Sequence, residues 1–224
     1  MKQYHSTPIC LLLVGVFTMA LTGCGQPSNT TLLERGNYAM WQGRWSDAAT
    51  SFQMAAEQHP GDWQAQYHLG QCYLEMGDAT SASQSLAVAE SLRPADSEIA
   101  ALYAESLLLS NEQDKLYSFL LNRAQKQQTV NDWIIFAEYT MDLDDPDSAT
   151  NAINTAITIS NGTDAQPYII AASFAERLGD DTLAVHRWRE AWMIEPSNDS
   201  VSNALRAHGI VPGPTMTGVD DIQE

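Results

Sequence analysis

The 224-residue sequence is poor in basic residues. Lys and Arg together number 11 against 28 Asp and Glu, which gives a formal net charge of −17 at pH 7. A nucleic-acid-binding protein needs a basic surface, and docking on anionic lipid by charge alone needs clustered Lys and Arg. These two classes of binding are therefore excluded. Any partner that charge selects is expected to be neutral or basic.

The chain also lacks the residue patterns of metal, cofactor and catalytic sites. Its three cysteines, at positions 10, 24 and 72, form no CxxC pair and no Cys/His spacing that suits zinc. No G-x-S-x-G, H-E-x-x-H or Gly-rich phosphate-binding motif occurs. The acidic cluster at 142–147 lacks the Gly and terminal Glu of an EF-hand loop, which favours solvated turn residues. We therefore expect no metal, no cofactor and no enzymatic activity, with Cys72 a buried, inert thiol.

The segment 1–23 has the composition of a secretory leader. It carries one basic side chain, Lys2, and no acidic one. The apolar run from Ile9 to Leu21 is shorter than the ~20 apolar residues that a membrane span needs. Leu21-Thr22-Gly23-Cys24 resembles a bacterial lipobox, in which the cysteine is acylated and becomes the mature N-terminus. The alternative is an ordinary signal peptide that is cut near Ala20 or Gly23.

The lipobox resemblance implies a lipoprotein of the bacterial cell envelope, with Cys24 as the lipidated residue. The residue after it is Gly25 and not Asp, which in Gram-negative sorting favours the outer membrane, facing the periplasm. Residues 24–28 would form a short tether, because an extended chain spans at most ~3.3–3.6 Å per residue. The folded domain is then expected to lie close to the membrane surface.

A period of 34 residues relates the segment 63–96 to the segment 29–62. Five pairs of similar residues are separated by this interval: Gly36 and Gly70, Gly43 and Gly77, Ala48 and Ala82, Phe52 and Leu86, and Pro60 and Pro94. Small residues let two helices approach, large apolar residues fill the space between them, and proline cannot continue a helix. Together with Leu69 and Tyr73, this pattern resembles the tetratricopeptide repeat (TPR), whose period is the same.

The TPR resemblance predicts an all-α solenoid of about five helix–turn–helix repeats and a C-terminal capping helix. The repeats are expected at residues 29–62, 63–96, 97–129, 130–163 and 165–198, with the final helix at 199–208. The third repeat is degenerate, since no Gly marks its turn and no Pro its end. Residues 209–224 are rich in Pro and Gly with an acidic end, so we expect them to be disordered.

The first helices of stacked TPR repeats line a concave face, and the period places particular side chains there. We predict a partner-binding groove lined by Asn37, Met40, Trp41, Tyr67, Gln71, Leu74, Glu105, Leu108, Glu138, Met141, Ser173 and Glu176. Its amides and carboxylates suit a neutral or basic protein segment, and the Lys and Arg of TPR carboxylate clamps are missing. Two alternatives stay open: Trp41 packs beside Trp45, or binding uses the convex side or an edge.

These features predict a membrane-anchored scaffold that mediates protein–protein interactions in the cell envelope. The chain resembles TPR lipoproteins that help assemble pili, secretion systems or outer-membrane complexes. A second hypothesis is a non-catalytic regulatory subunit of a cell-wall enzyme. An enzyme with an unrecognised site is a third, which no motif supports.

Overall fold

The computed structural model of the chain describes residues 27–213, which form eleven α-helices and no strand. The helices are α1 (Asn29–Trp41), α2 (Trp45–Gln58), α3 (Trp63–Glu75), α4 (Ala79–Leu92), α5 (Ser97–Leu109), α6 (Gln113–Gln127), α7 (Val130–Asp142), α8 (Pro146–Ser160), α9 (Gln166–Leu178), α10 (Asp181–Ile194) and α11 (Asp199–Ala207). Consecutive helices pack against each other from α1 to α11. The predicted fold class, a TPR α-solenoid of five helix pairs and a final helix, is confirmed.

Three predictions concern parts of the chain outside the described residues. These are the leader, the lipidation site Cys24 and the tail from residue 214 onward. Within residues 27–213, no helix combines the length and the apolar character that crossing a membrane requires.

Side-chain caps mark where the repeats begin. Ser28, Asp62, Asp96 and Thr129 precede α1, α3, α5 and α7, and each accepts a hydrogen bond from a backbone N–H two or three residues later. Such a cap satisfies a donor that has no partner within the helix. Three further aspartates cap second helices in the same way: Asp78, Asp145 and Asp180. Much of the acidity of this chain therefore stabilises helix ends.

The turn between the two helices of every repeat contains one residue with a left-handed backbone. Gly43, Gly77 and Gly179 have φ values of 69°, 77° and 78° at this place. Asn111 and Asp144 have φ values of 58° and 61°. Asn and Asp tolerate this conformation better than other side chains do. The third repeat, which lacks Gly here, therefore keeps the same turn through Asn111.

The first two repeats hold their helices together through a glycine and a large apolar side chain. A Cβ atom added to Gly36 would lie 2.6 Å from the Phe52 ring, and one added to Gly70 would lie 2.5 Å from Leu86 Cγ. Phe52 and Leu86 are completely buried. The large side chain thus packs directly on the backbone of the facing helix, which sets the distance between the two helices.

This packing predicts that Gly70→Ala destabilises the fold. The new methyl group would overlap Leu86, and overpacking of this kind costs about 1–3 kcal/mol. The matched control is Gly61→Ala, because a Cβ at Gly61 meets no atom within 4 Å. Urea unfolding followed by far-UV circular dichroism compares the two variants, and equal midpoints would contradict the assigned packing.

Candidate functional site

The first helices of the repeats form one face of the solenoid. Helix α3 contacts α5, and α7 contacts α9, so successive first helices are neighbours. In a stacked TPR array this face is the concave one, and we call it the groove. The predicted groove residues differ in exposure. Seven are exposed: Asn37, Trp41, Glu105, Leu108, Glu138, Ser173 and Glu176. Three are half-buried, namely Met40, Gln71 and Leu74, and two are buried, namely Tyr67 and Met141.

Four predicted residues meet in one pocket of the N-terminal half. This pocket has a volume of about 210 Å³ and lies between α1, α3 and α5. It is lined by Met40, Trp45, Gln71, Leu74, Glu75, Leu102 and Glu105. The predicted groove residues did not include Trp45, Glu75 or Leu102. Glu75 lies one repeat period after Trp41, so the same pattern could have identified it.

Trp41 lies outside this pocket. Its side chain is 81% exposed and stacks on Tyr38, with the two ring centroids 6.0 Å apart. Trp45, at the start of α2, lines the pocket and packs against the core of the first repeat. The two tryptophans therefore have different surroundings, and Trp41 presents its ring to solvent near the N-terminal end of the groove.

Tyr67 lies beneath the surface of the groove. Its ring packs in the core of the second repeat, and its hydroxyl donates a hydrogen bond to Glu98 Oε1. Burial, followed by this bond to Glu98, raises the pKa of the Tyr67 phenol. The same hydroxyl accepts a hydrogen bond from Gln71 Nε2 at 3.0 Å, and His68 Nδ1 lies 2.8 Å from Gln71 Oε1. The Gln71 amide is thus held in one orientation, while Tyr67 itself is too buried to offer its ring to a partner.

Met141 is likewise buried, with 2% of its surface exposed. It lies in the last turn of α7, where its carbonyl oxygen accepts a hydrogen bond from Arg177 Nη2 at 3.0 Å. Arg177 Nη1 also donates to Asp142 Oδ1 at 3.0 Å. Arg177 thus links the end of α7 to α9, and the buried Met141 side chain is not available to a partner.

Glu176 is engaged in contacts within the C-terminal repeat. Its Oε1 lies 2.9 Å from His208 Nε2 and accepts a hydrogen bond from Trp188 Nε1 at 2.8 Å. The hydrogen bond to His208 is the main cause that lowers the pKa of the Glu176 carboxyl, and Trp188 adds to it. Ser173 donates its hydroxyl to the Ile169 carbonyl of its own helix. These two groove residues are thus largely satisfied internally.

Two carboxylates of the groove have no basic partner. Within residues 27–213, Glu105 and Glu138 form no salt bridge. Although Glu138 is exposed, crowding by its neighbours raises the pKa of its carboxyl, and the charge of Asp142 raises it further. A cationic group beside Glu138 would favour the ionised form again. The middle of the groove therefore carries two carboxylates that no salt bridge of the described residues neutralises.

The described part of the chain has no constellation that suits a metal ion: no group of three or more His, Cys, Asp or Glu side chains could hold one. Cys72 is completely buried, and burial raises the pKa of its thiol to about 11. The thiol is therefore protonated at neutral pH and a poor nucleophile.

Comparison with known proteins agrees with this geometry. Residues 39–105 match the tetratricopeptide repeat family. A crystal structure of MamA protein has a TM-score of 0.57 at 16% identity, covering 83% of this chain and 98% of that chain. The C-terminal part of a TPR repeat-containing protein from Cytophaga hutchinsonii has a TM-score of 0.62 at 16% identity, covering 80% and 74% respectively.

A MamA structure from Desulfovibrio magneticus RS-1 has a TM-score of 0.57 at 13% identity and covers 76% of this chain and 97% of that chain. At such identities the likeness concerns the fold. Among curated proteins, none matches this sequence. The chain thus has the fold of a TPR-like α-solenoid, and this fold is suited to binding proteins.

The environment of Glu138 predicts how it titrates. Its pKa should lie above the ordinary glutamate value because burial disfavours the charged form. Asp142→Asn should lower this pKa only in part, since Asp142 is the smaller cause. Carbon-detected NMR of the side-chain carboxyl measures both titrations. An ordinary pKa for Glu138 in the unchanged chain would contradict the described surroundings.

Proposed function

We propose that this chain is a lipid-anchored scaffold of the bacterial cell envelope that holds a neutral or basic segment of another protein in its groove. The groove supports this proposal, because it combines the apolar surfaces of Met40 and Leu74 with the carboxylates of Glu105 and Glu138. Apolar contact supplies affinity, and the unpaired carboxylates select the charge of the partner. The assembly of a pilus, secretion or outer-membrane complex is the kind of process that such a scaffold serves.

The leader supports the membrane anchor and the location. The sequence Leu21-Thr22-Gly23-Cys24 follows an apolar run of suitable length, and Gly25 favours the outer membrane. Only the short segment 25–28 separates Cys24 from α1. The scaffold would therefore hold its partner close to the periplasmic surface of the membrane.

Lipidation at Cys24 predicts that Cys24→Ser releases the protein from the membrane. The acyl chains would be missing, and the sequence has too few Lys and Arg for binding to anionic lipid by charge alone. Metabolic labelling with radioactive palmitate and membrane fractionation measure the effect. Cys10→Ser is the control, since cleavage before Cys24 would remove that residue, and it should leave label and fractionation unchanged. Radioactive palmitate that is still incorporated into the Cys24→Ser protein would exclude a lipid anchor at Cys24.

Binding in the groove predicts where photo-crosslinks form in living cells. A photoreactive amino acid at Leu108 or Glu138, both exposed on first helices, should give a discrete adduct with one partner protein. Mass spectrometry would then identify that partner. The same probe at Gln84, exposed on the second helix α4, should not give this adduct. An adduct from Gln84 alone would show that the convex side is the binding surface and would refute the groove.

A further inference from the structure

The second helix of the third repeat breaks the size pattern of the other repeats. Leu116 of α6 stands where the other second helices carry alanine, namely Ala48, Ala82, Ala149 and Ala184. Phe119 stands where three of them carry a small buried residue, namely Ser51, Ser85 and Ala152. Two large side chains thus occupy positions where most of the other repeats carry small buried residues.

The consequence is a wider separation of α5 and α6. The Phe119 ring meets Tyr103 of α5 edge-on, with 4.7 Å between the ring centroids. The distance between packed helices follows the size of the side chains at their contact. Accordingly, α5 and α6 pack against each other over fewer residues than the two helices of any other repeat.

This separation leaves a pocket of about 140 Å³ between α5, α6 and α7. Its inner walls are mainly apolar and include Ala100, Ala104, Phe119 and Leu120. Its mouth is formed by exposed residues of α5 and α7, namely Ser97, Ala101, Asn131 and Ile135. Both of these are first helices, the helices that line the groove.

The charged groups in this pocket already have partners. Arg123 Nε donates to Asp132 Oδ1 at 2.8 Å, and both side chains are more than nine-tenths buried. Arg123 Nη1 also donates to the Pro94 carbonyl at 2.7 Å, and Thr129 Oγ1 donates to Asp132 Oδ2 at 2.6 Å. A group bound in this pocket therefore need not carry a charge, because the surface left for it to contact is mainly apolar.

We propose that this pocket binds one apolar side chain, between leucine and phenylalanine in size, of the protein segment held in the groove; this inference rests on the proposed function. Its volume is close to that of an engineered apolar protein cavity of about 150 Å³ that binds benzene. Ala101 lies one helical turn before Glu105, and Ile135 lies nearly one turn before Glu138. The partner therefore carries an apolar anchor residue with a Lys or Arg nearby in its sequence.

Toluene, the isolated side chain of phenylalanine, tests the pocket on the purified protein. With methyl-labelled alanine, toluene should shift the NMR signals of Ala100, Ala101 and Ala104 in a saturable way. Ala101→Leu places a larger side chain at the mouth and should weaken binding by about tenfold or more, which corresponds to the loss of a well-packed apolar contact. Ala207→Leu, on the exposed end of α11, is the control and should bind as the unchanged protein does. No saturable shift in the unchanged protein would overturn the proposal.

A second arm separates this inference from the function on which it rests. Ala101→Leu should strongly reduce the partner adduct formed from a photoreactive residue at Glu138, while Ala207→Leu should not. An undiminished adduct in Ala101→Leu would overturn the anchor pocket and leave the proposed function standing. If Glu138 gave no adduct in the otherwise unchanged chain, both proposals would fail, whichever result toluene gave.

Discussion

The architecture depends on one contact, a large apolar side chain packed on the backbone of a small residue in the facing helix. Phe52 on Gly36 and Leu86 on Gly70 show it most directly, because no Cβ would fit between them. Buried alanines at the other approach positions extend the same principle along the solenoid. Where this contact is relaxed, at Phe119 in the third repeat, the helices separate and a pocket opens. The size of a few side chains thus determines both how closely the paired helices pack and where a pocket forms.

The sequence predicted the fold well because the period constrains many residues at once. A glycine, an alanine and a proline at matching positions of successive repeats each indicate the same helix–turn–helix unit. The turn of the third repeat could have been predicted too, since Asn111 lies one period after Gly77 and tolerates the same backbone. The exposure of individual side chains in the groove could not be predicted from the sequence. Tyr67 and Met141 occupy groove positions in the repeat, yet both side chains are buried, which depends on tertiary packing and not on the period.

The acidic residues of the chain lie in two different kinds of surroundings. Many aspartates cap helices, and Glu176 binds His208 and Trp188, so these acids contribute to folding. Glu105 and Glu138 remain without a basic neighbour in the part of the chain that the structure describes. The net charge keeps polyanions away, whereas these two carboxylates act over the short range at which a bound segment is recognised.

The most direct test of the account reverses the charge of the groove. The full-length protein carrying Glu105→Lys and Glu138→Lys would be compared, by affinity purification and mass spectrometry, with one carrying Glu57→Lys and Glu195→Lys at the ends of second helices. Equal melting temperatures would show that both pairs of substitutions leave the fold intact. We expect the groove variant to lose the co-purifying partner and the control variant to keep it. Retention of the partner by the groove variant, or its loss from the control alone, would refute binding in the groove.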